Sequence, residues 1–139
     1  MTRLSGETVE SLLRIAFLIG AVTDGLAIIP MLSPRIGTAL FGGDPARTTG
    51  EYRYAMRIGA SLMAGWTLLL LWGAANPFER RGLLLLTVFP VIFGIVASSI
   101  TAARRGIVRS ARMVPLWIHL CCISVFYLLV YVLAAPFVP

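Results

Sequence analysis

The chain has 139 residues, of which 58% are hydrophobic and only 13% are charged, and its mean hydropathy is +0.88. A soluble domain is nearer half apolar and a quarter charged, so this composition excludes a soluble globular protein. The net charge of +6 comes from arginines that flank apolar segments. That placement is typical of a membrane topology signal and argues against nucleic-acid binding.

Four apolar segments each approach the ~20 residues needed to cross about 30 Å of hydrocarbon. They predict membrane helices at about 12–32, 54–75, 83–103 and 114–135. The first carries Asp24 in its middle and lacks a small-residue cleavage site, so we predict a retained helix and not a signal peptide. The second is expected to end at Asn76-Pro77, because proline donates no backbone hydrogen bond. The short connection after it predicts that the second and third spans are antiparallel neighbours, and Pro90 predicts a kink in the third.

The predicted fold class is all-α, a four-transmembrane-helix antiparallel bundle formed by one domain over 1–139. Strands are excluded because an open sheet would leave its edge groups unpaired in lipid. Between the first two spans, Ser33-Pro34 predicts the start of a short interfacial helix. Its apolar face would comprise Ile36, Ala39, Leu40 and Phe41, and Gly42-Gly43-Asp44-Pro45 would end it. The glycine pair is not expected to bind phosphate, since no strand precedes it and no lysine follows.

All twelve basic residues are arginine, and the two ends of the predicted bundle share them unequally. The end that holds both termini has Arg3, Arg14, Arg80 and Arg81. The other end has Arg35, Arg47, Arg53, Arg57, Arg104, Arg105, Arg109 and Arg112. The positive-inside rule therefore predicts loops one and three in the cytoplasm and both termini outside a bacterial inner membrane, although the Arg80-Arg81 pair argues the opposite way. The four arginines around loop three, Arg104, Arg105, Arg109 and Arg112, are expected to bind anionic lipid headgroups.

Polar residues inside the spans are the candidate functional residues, since a carboxylate near the bilayer centre costs roughly 2.5–3.5 kcal/mol and needs a partner. Asp24 is the sharpest candidate, and Arg57 is its expected partner because the two differ in depth by roughly 6 Å. His119, Ser61 and Ser98 lie in the same half of the membrane, and their helical spacings predict that they face the bundle interior. These five residues predict a polar pocket for ligand binding or proton coupling. The alternative is a structural ion pair with a hydrogen-bonded histidine that only fixes helix packing.

Other chemistries are not supported by the residue types present. A single histidine excludes bis-histidine haem ligation within one chain, and no cluster has metal-ligand spacing, so no cofactor and no metal is predicted. Cys121 and Cys122 are adjacent and lack C-x-x-C spacing, which favours buried apolar thiols over a redox pair. No serine is placed as an activated nucleophile, so enzymatic function is the least favoured class.

Several motifs follow one another in a recognisable order: prolines at the exit of the first span, Pro30 and Pro34; then Arg57-Ile58-Gly59-Ala60 and Gly65; then Asn76-Pro77-Phe78-Glu79-Arg80-Arg81. Each of the last two motifs precedes a leucine run. This layout resembles the small DoxX-like four-helix membrane proteins over about two-thirds of the chain. The resemblance implies a four-helix bundle, often an accessory partner of membrane oxidoreductase or of thiosulfate and quinone chemistry. Asp24 and His119 lie outside the matched pattern.

A second comparison is with the small multidrug-resistance transporters, which have four short helices with an acid in the first and couple protons to cation export as dimers. Asp24 lies in the corresponding helix, but the glutamate and the third-helix glycine-tryptophan motif of that family are absent.

Three functional classes therefore remain open. The favoured one is an accessory or small-hydrophobic-ligand-binding subunit that takes a lipid or a quinone. The alternatives are a proton-coupled transporter acting as a dimer with Asp24 as its coupling carboxylate, and an enzyme using His119 as acid or base. The expected partners are membrane lipids and either a homo-oligomer or a larger membrane complex, with no nucleic acid.

Overall fold

The computed structural model describes residues 5–41 and 49–137, and the regular elements in these ranges are helices. In chain order they are α1 (Gly6–Leu32), α2 (Pro34–Phe41), α3 (Gly50–Ala75), α4 (Gly82–Arg104) and α5 (Ser110–Leu133), followed by a 3-10 turn at Ala135–Phe137. Helices α1, α3, α4 and α5 are long and apolar enough to cross a membrane. The predicted all-α, four-span architecture is therefore confirmed.

Helices α1 and α3 begin earlier than hydropathy predicts, because a side-chain cap starts each of these two helices before its apolar part. Ser5 accepts a hydrogen bond from the Thr8 amide at 3.3 Å and starts α1 six residues before Leu12. Thr49 accepts from the Tyr52 amide at 3.2 Å and starts α3 in the same way. Such caps satisfy amides that have no intrahelical partner. At its other end α3 stops at Ala75, as the Asn76-Pro77 dipeptide predicts.

Helix α4 contains a π-helical turn at Thr87–Ile92, around Pro90. Proline has no amide hydrogen, and its ring conflicts with the carbonyl four residues earlier in a regular α-helix. The wider turn accommodates this, and the Phe93 amide bonds to the Val88 carbonyl five residues back. The distortion expected at Pro90 thus takes the form of a π-helical turn, a feature that often accompanies functional sites.

The end of α4 is set by Gly106, whose φ of +68° lies in the left-handed region. The Gly106 amide bonds to the Ala103 carbonyl at 3.1 Å, and the Ile107 amide bonds to the Ala102 carbonyl at 3.0 Å. This pair of hydrogen bonds is a Schellman motif. It reverses the chain within a few residues and places α5 beside α4.

The most extensive helix packing is between α1 and α3, which run antiparallel. Four close approaches define their register: Phe17 with Gly73, Gly20 with Leu70, Gly25 with Thr67, and Met31 with Gly59. Every pair includes a glycine, and small residues of this kind allow the backbones of membrane helices to approach. Helix α3, predicted as a neighbour of α4, is joined to it by a hydrogen bond from Trp66 Nε1 to Thr87 Oγ1 at 3.3 Å.

The core lies mainly between α1 and α5. Buried residues on α5 recur about every seven positions, with Leu120, Tyr127 and Ala134 in one row and Ile123 and Val130 in another. They pack against the α1 stripe of Val9, Leu13, Ala16, Phe17 and Ala21. Helices α4 and α5 are also joined by a 2.7 Å hydrogen bond from Trp117 Nε1 to Ser99 Oγ.

The short helix predicted after Ser33-Pro34 is present as α2. Gly37 and Thr38 are buried, and a Cβ at Gly37 would lie 2.7 Å from the Pro30 carbonyl oxygen. Ile36 and Leu40 are exposed one turn apart, as expected for a face that enters the headgroup region. The predicted terminator Gly42-Gly43-Asp44-Pro45 lies outside the described residues.

Candidate functional site

Asp24 continues the buried stripe of α1 that runs through Phe17 and Gly20. Its side chain is partly buried, and its Oδ2 atom has almost no accessible surface. This oxygen has no hydrogen-bond partner among residues 5–41 and 49–137. One oxygen of the most costly residue of the first span is therefore shielded within the bundle, without the partner that was expected.

Arg57 does not reach Asp24. The one salt bridge within the described ranges joins Arg14 to Glu10 at 2.8 Å, and Arg57 is exposed. The reason is the α1–α3 register, in which Asp24 lies level with Trp66 while Arg57 lies level with Ser33. Nine residues at 1.5 Å each separate the two levels by roughly 13 Å, about twice the depth difference expected from the span ends. The predicted ion pair is wrong.

The other predicted members of the polar pocket also point away from it. Ser61, Ser98 and His119 are exposed, and Ser61 Oγ donates its hydrogen bond to the Arg57 carbonyl of its own helix. The inward face of α3 passes through Ala60, one residue from Ser61 and therefore rotated by about 100°. The inward face of α5 passes through Leu120, one residue from His119. Of the five predicted residues, Asp24 alone is partly buried, and the other four are exposed.

Tyr127 is a buried polar residue whose hydroxyl group lies about one helical turn from Asp24 along α1. Its side chain is 1% exposed, and its hydroxyl oxygen lies against Gly20, one helical turn from Asp24 on the same face of α1. A Cβ on Gly20 would clash with this oxygen, so the glycine provides the space for the hydroxyl. Tyr127 is not among the five residues predicted for the polar pocket. The seven-residue spacing from Leu120 to Tyr127 is the signal that marks Tyr127 as inward-facing.

A groove of about 300 Å³ lies between α4 and α5, beside the π-helical turn. The lining residues from α4 are Val88, Phe89, Ile92, Phe93 and Val96, and those from α5 are Trp117, Leu120, Cys121 and Ser124. Two polar side chains of the lining already have partners, because the Trp117 indole donates to Ser99 and Ser124 donates to the Leu120 carbonyl at 2.7 Å. The groove therefore offers an apolar surface with its polar groups already satisfied.

A second hollow, of about 380 Å³, lies at the loop-three end of α4. It is lined by Ala97, Ser98, Thr101, Ala102, Arg105 and Ile107. Both hollows lie along α4, the first beside Phe93 and the second beginning one turn later at Ala97. Arg104, Arg105, Arg109 and Arg112 surround this end, and Arg112 donates to the Ala39 carbonyl of α2 at 3.3 Å. An apolar groove thus leads toward a cationic end.

At the opposite end of the bundle the three described arginines, Arg14, Arg80 and Arg81, contact the protein itself. Arg14 Nε donates to the Ala74 carbonyl at 3.3 Å, and Arg80 donates to the Trp72 carbonyl, so both satisfy the last turn of α3. The Arg80 guanidinium also lies 3.6 Å from the centre of the Trp72 ring. Arg81 lies 5.0 Å from the Tyr131 ring.

Cys121 and Cys122 are both exposed, so the prediction that they are buried thiols is wrong. They are free, and Cys121 lines the α4–α5 groove. Within the part of the chain that the structure describes, no group of three or more His, Cys, Asp or Glu side chains could hold a metal ion.

A stretch of 44 residues is 46% identical to NADH-quinone oxidoreductase subunit N 1 of Symbiobacterium thermophilum. It covers 31% of this chain and 9% of that subunit, so the chain spans a small part of its relative. No family model and no solved structure matches the chain. The similarity is local and assigns no family, and the DoxX-like resemblance stays a prediction.

Proposed function

We propose that this membrane protein is an accessory subunit that binds the hydrocarbon chain of a lipophilic ligand, a lipid or a quinone, in the groove between α4 and α5. The observation that carries the proposal is the groove itself. Its volume of about 300 Å³ is at the lower end of the roughly 300–1,000 Å³ that is usual for small-molecule sites. Nine residues line it, most of them apolar, and three of these belong to the π-helical turn: Val88, Phe89 and Ile92.

The cationic end of the bundle supports an amphipathic ligand. Arg105 lines the hollow that follows the groove along α4, and the neighbouring Arg104, Arg109 and Arg112 add positive charge. An anionic headgroup would be attracted to this end, at about 1 kcal/mol for each arginine near a membrane surface. A quinone is uncharged, so it would bind in the groove without an interaction with these arginines. The local similarity to a membrane subunit of a quinone oxidoreductase supports keeping the quinone as a candidate.

Adjacent cysteines provide a matched test of the groove. Cys121 lines it and Cys122 does not, and both are exposed on α5. Cys121→Phe fills the groove, whereas Cys122→Phe adds the same ring outside it. Protein purified in mild detergent is analysed by native mass spectrometry, and solvent extracts are assayed for phospholipids and quinones. Loss of a co-purifying ligand from Cys121→Phe alone supports the proposal, and equal retention by both folded variants refutes it.

The orientation proposed here places loops one and three in the cytoplasm of a bacterial inner membrane. Support comes from the excess of arginines at the loop-one and loop-three end. With Cys121→Ser and Cys122→Ser as background, a membrane-impermeant maleimide added to intact cells is expected to label Glu79→Cys in loop two. Ser110→Cys after loop three should be labelled only after lysis. The reverse pattern would overturn the orientation.

A second candidate function is proton-coupled transport by a dimer with Asp24 as the coupling carboxylate. It is favoured by the unpartnered Oδ2 atom of Asp24 among the described residues. Proteoliposomes containing the protein would then take up or release a cationic substrate in response to a proton gradient, and Asp24→Asn would abolish the response. Gradient-independent substrate movement, or movement that survives Asp24→Asn, would exclude this candidate.

A further inference from the structure

The Asp24 carboxyl group lies where its charged form has little support. Its Oδ2 atom has almost no accessible surface and no hydrogen-bond partner within residues 5–41 and 49–137. Transfer of an isolated carboxylate into an apolar environment is so unfavourable that such groups usually bind a proton instead. The same residue lies within a helix that is long and apolar enough to cross a membrane, where an ionised side chain is costly.

Tyr127 supplies a second polar group at the same interface, and its side chain is 1% exposed. Gly20 makes room for this hydroxyl oxygen, and Gly20 and Asp24 are four residues apart on one face of α1. The Tyr127 hydroxyl therefore lies within about one helical turn of Asp24 along α1.

Other titratable groups do not serve Asp24 in this part of the chain. Helices α2, α3 and α5 pack against α1. These helices carry eleven described titratable or charged residues on the membrane half that contains loops one and three. All eleven side chains are exposed: Arg35, Glu51, Tyr52, Arg53, Tyr54, Arg57, Arg109, Arg112, His119, Cys121 and Cys122. No salt bridge joins any of the described ones to Asp24.

We infer that Asp24 and Tyr127 form an internal proton-binding site between α1 and α5, with Asp24 held as a neutral carboxylic acid. When the carboxyl group gives its proton to a water molecule, the products are a carboxylate and a hydronium ion. The Tyr127 hydroxyl then donates a hydrogen bond to the carboxylate, which replaces the stabilisation lost with the proton. The site depends on neither proposed function, since it requires no ligand in the groove and no transport.

Infrared spectroscopy of the protein in lipid bilayers at neutral pH tests the inference directly. A protonated carboxyl group gives a carbonyl stretching band that a carboxylate lacks, and deuteration shifts it. Asp24→Asn should remove this band, and Tyr127→Phe should shift it because the hydroxyl is the neighbouring polar group. Glu10→Gln is the matched control: Glu10 is partly exposed and paired with Arg14, so its replacement should leave the band unchanged.

Several outcomes would overturn the inference. One is the absence at neutral pH of any protonated carboxyl band that depends on Asp24. Another is a band that Arg57→Ala changes and Tyr127→Phe does not, because Arg57 would then be the partner. If Asp24→Asn does not fold, Asp24→Glu keeps the acid, and the site predicts a band at a shifted frequency. An unshifted band in that variant would assign the signal to a different carboxyl group.

Discussion

Replacing Gly73 with alanine tests the α1–α3 contact that fixes the relative depth of Asp24 on α1 and Arg57 on α3. A Cβ at this position would lie 2.5, 2.8 and 2.9 Å from three ring atoms of Phe17, which is fully buried. Overpacking of a core in this way costs about 1–3 kcal/mol. Alanine also gains about 1 kcal/mol over glycine inside a helix. We therefore expect a net loss of up to about 2 kcal/mol for Gly73→Ala.

Gly65→Ala on the same helix is the control, because a Cβ there has no neighbour within 4 Å. It should keep the helix-propensity gain without any packing cost. The difference between the two variants then isolates overpacking, at about 1–3 kcal/mol. Reversible unfolding in mixed micelles, followed by circular dichroism, measures both free energies. Equal stabilities for the two variants would refute the register, as would a Phe17→Leu background that leaves the difference unchanged.

Three further predictions use matched positions in the same unfolding assay. Gly20→Ala should destabilise the protein because its Cβ meets the Tyr127 hydroxyl, and adding Tyr127→Phe should recover part of the lost stability. Additive changes in the free energy of unfolding for the two substitutions would contradict this contact. Ser99→Ala should lower the free energy of unfolding by about 0.6 kcal/mol through loss of the Trp117 hydrogen bond. Ser98 is exposed, so Ser98→Ala should leave this free energy unchanged, and equal effects of the two substitutions would argue against that bond. Arg80→Ala should cost about 1–2 kcal/mol through loss of its contacts with Trp72, while exposed Arg104→Ala should stay within about 0.5 kcal/mol; the reverse order would exclude a capping role for Arg80.

Hydropathy predicts the spans well because lipid imposes one requirement on all of them, namely about 20 apolar residues with internally bonded backbone. The stop at Asn76-Pro77 and the short helix after Ser33 also follow from local chemistry, and both are present. Helix starts are less predictable from hydropathy. Ser5 and Thr49 begin helices outside the apolar segments, where only the capping pattern gives a signal.

The candidate site was less predictable, because a membrane helix is apolar on all sides and its hydrophobic pattern does not reveal which face is inward. On α3 a one-residue difference between Ser61 and Ala60 separates the outward from the inward face. Small residues are the better guide, since Gly20 and Gly73 mark the positions where large side chains of other helices approach. The register between two helices is encoded neither in the hydrophobic pattern nor in the small-residue pattern of one helix alone. The Asp24–Arg57 pairing failed for that reason.

The arginines at the two ends of the bundle differ in what they bind, and this difference strengthens the proposed orientation. Arg14 and Arg80 donate to backbone carbonyls at the end of α3, and Arg81 lies over the Tyr131 ring. At the other end Arg104, Arg105 and Arg109 are exposed, and their guanidinium groups make no hydrogen bond within the described residues. An arginine that caps a helix has a structural role on either side of the membrane. The Arg80-Arg81 pair is thus weaker as a topology signal than its position in a short loop suggests. The predicted orientation therefore depends mainly on the loop-three arginines.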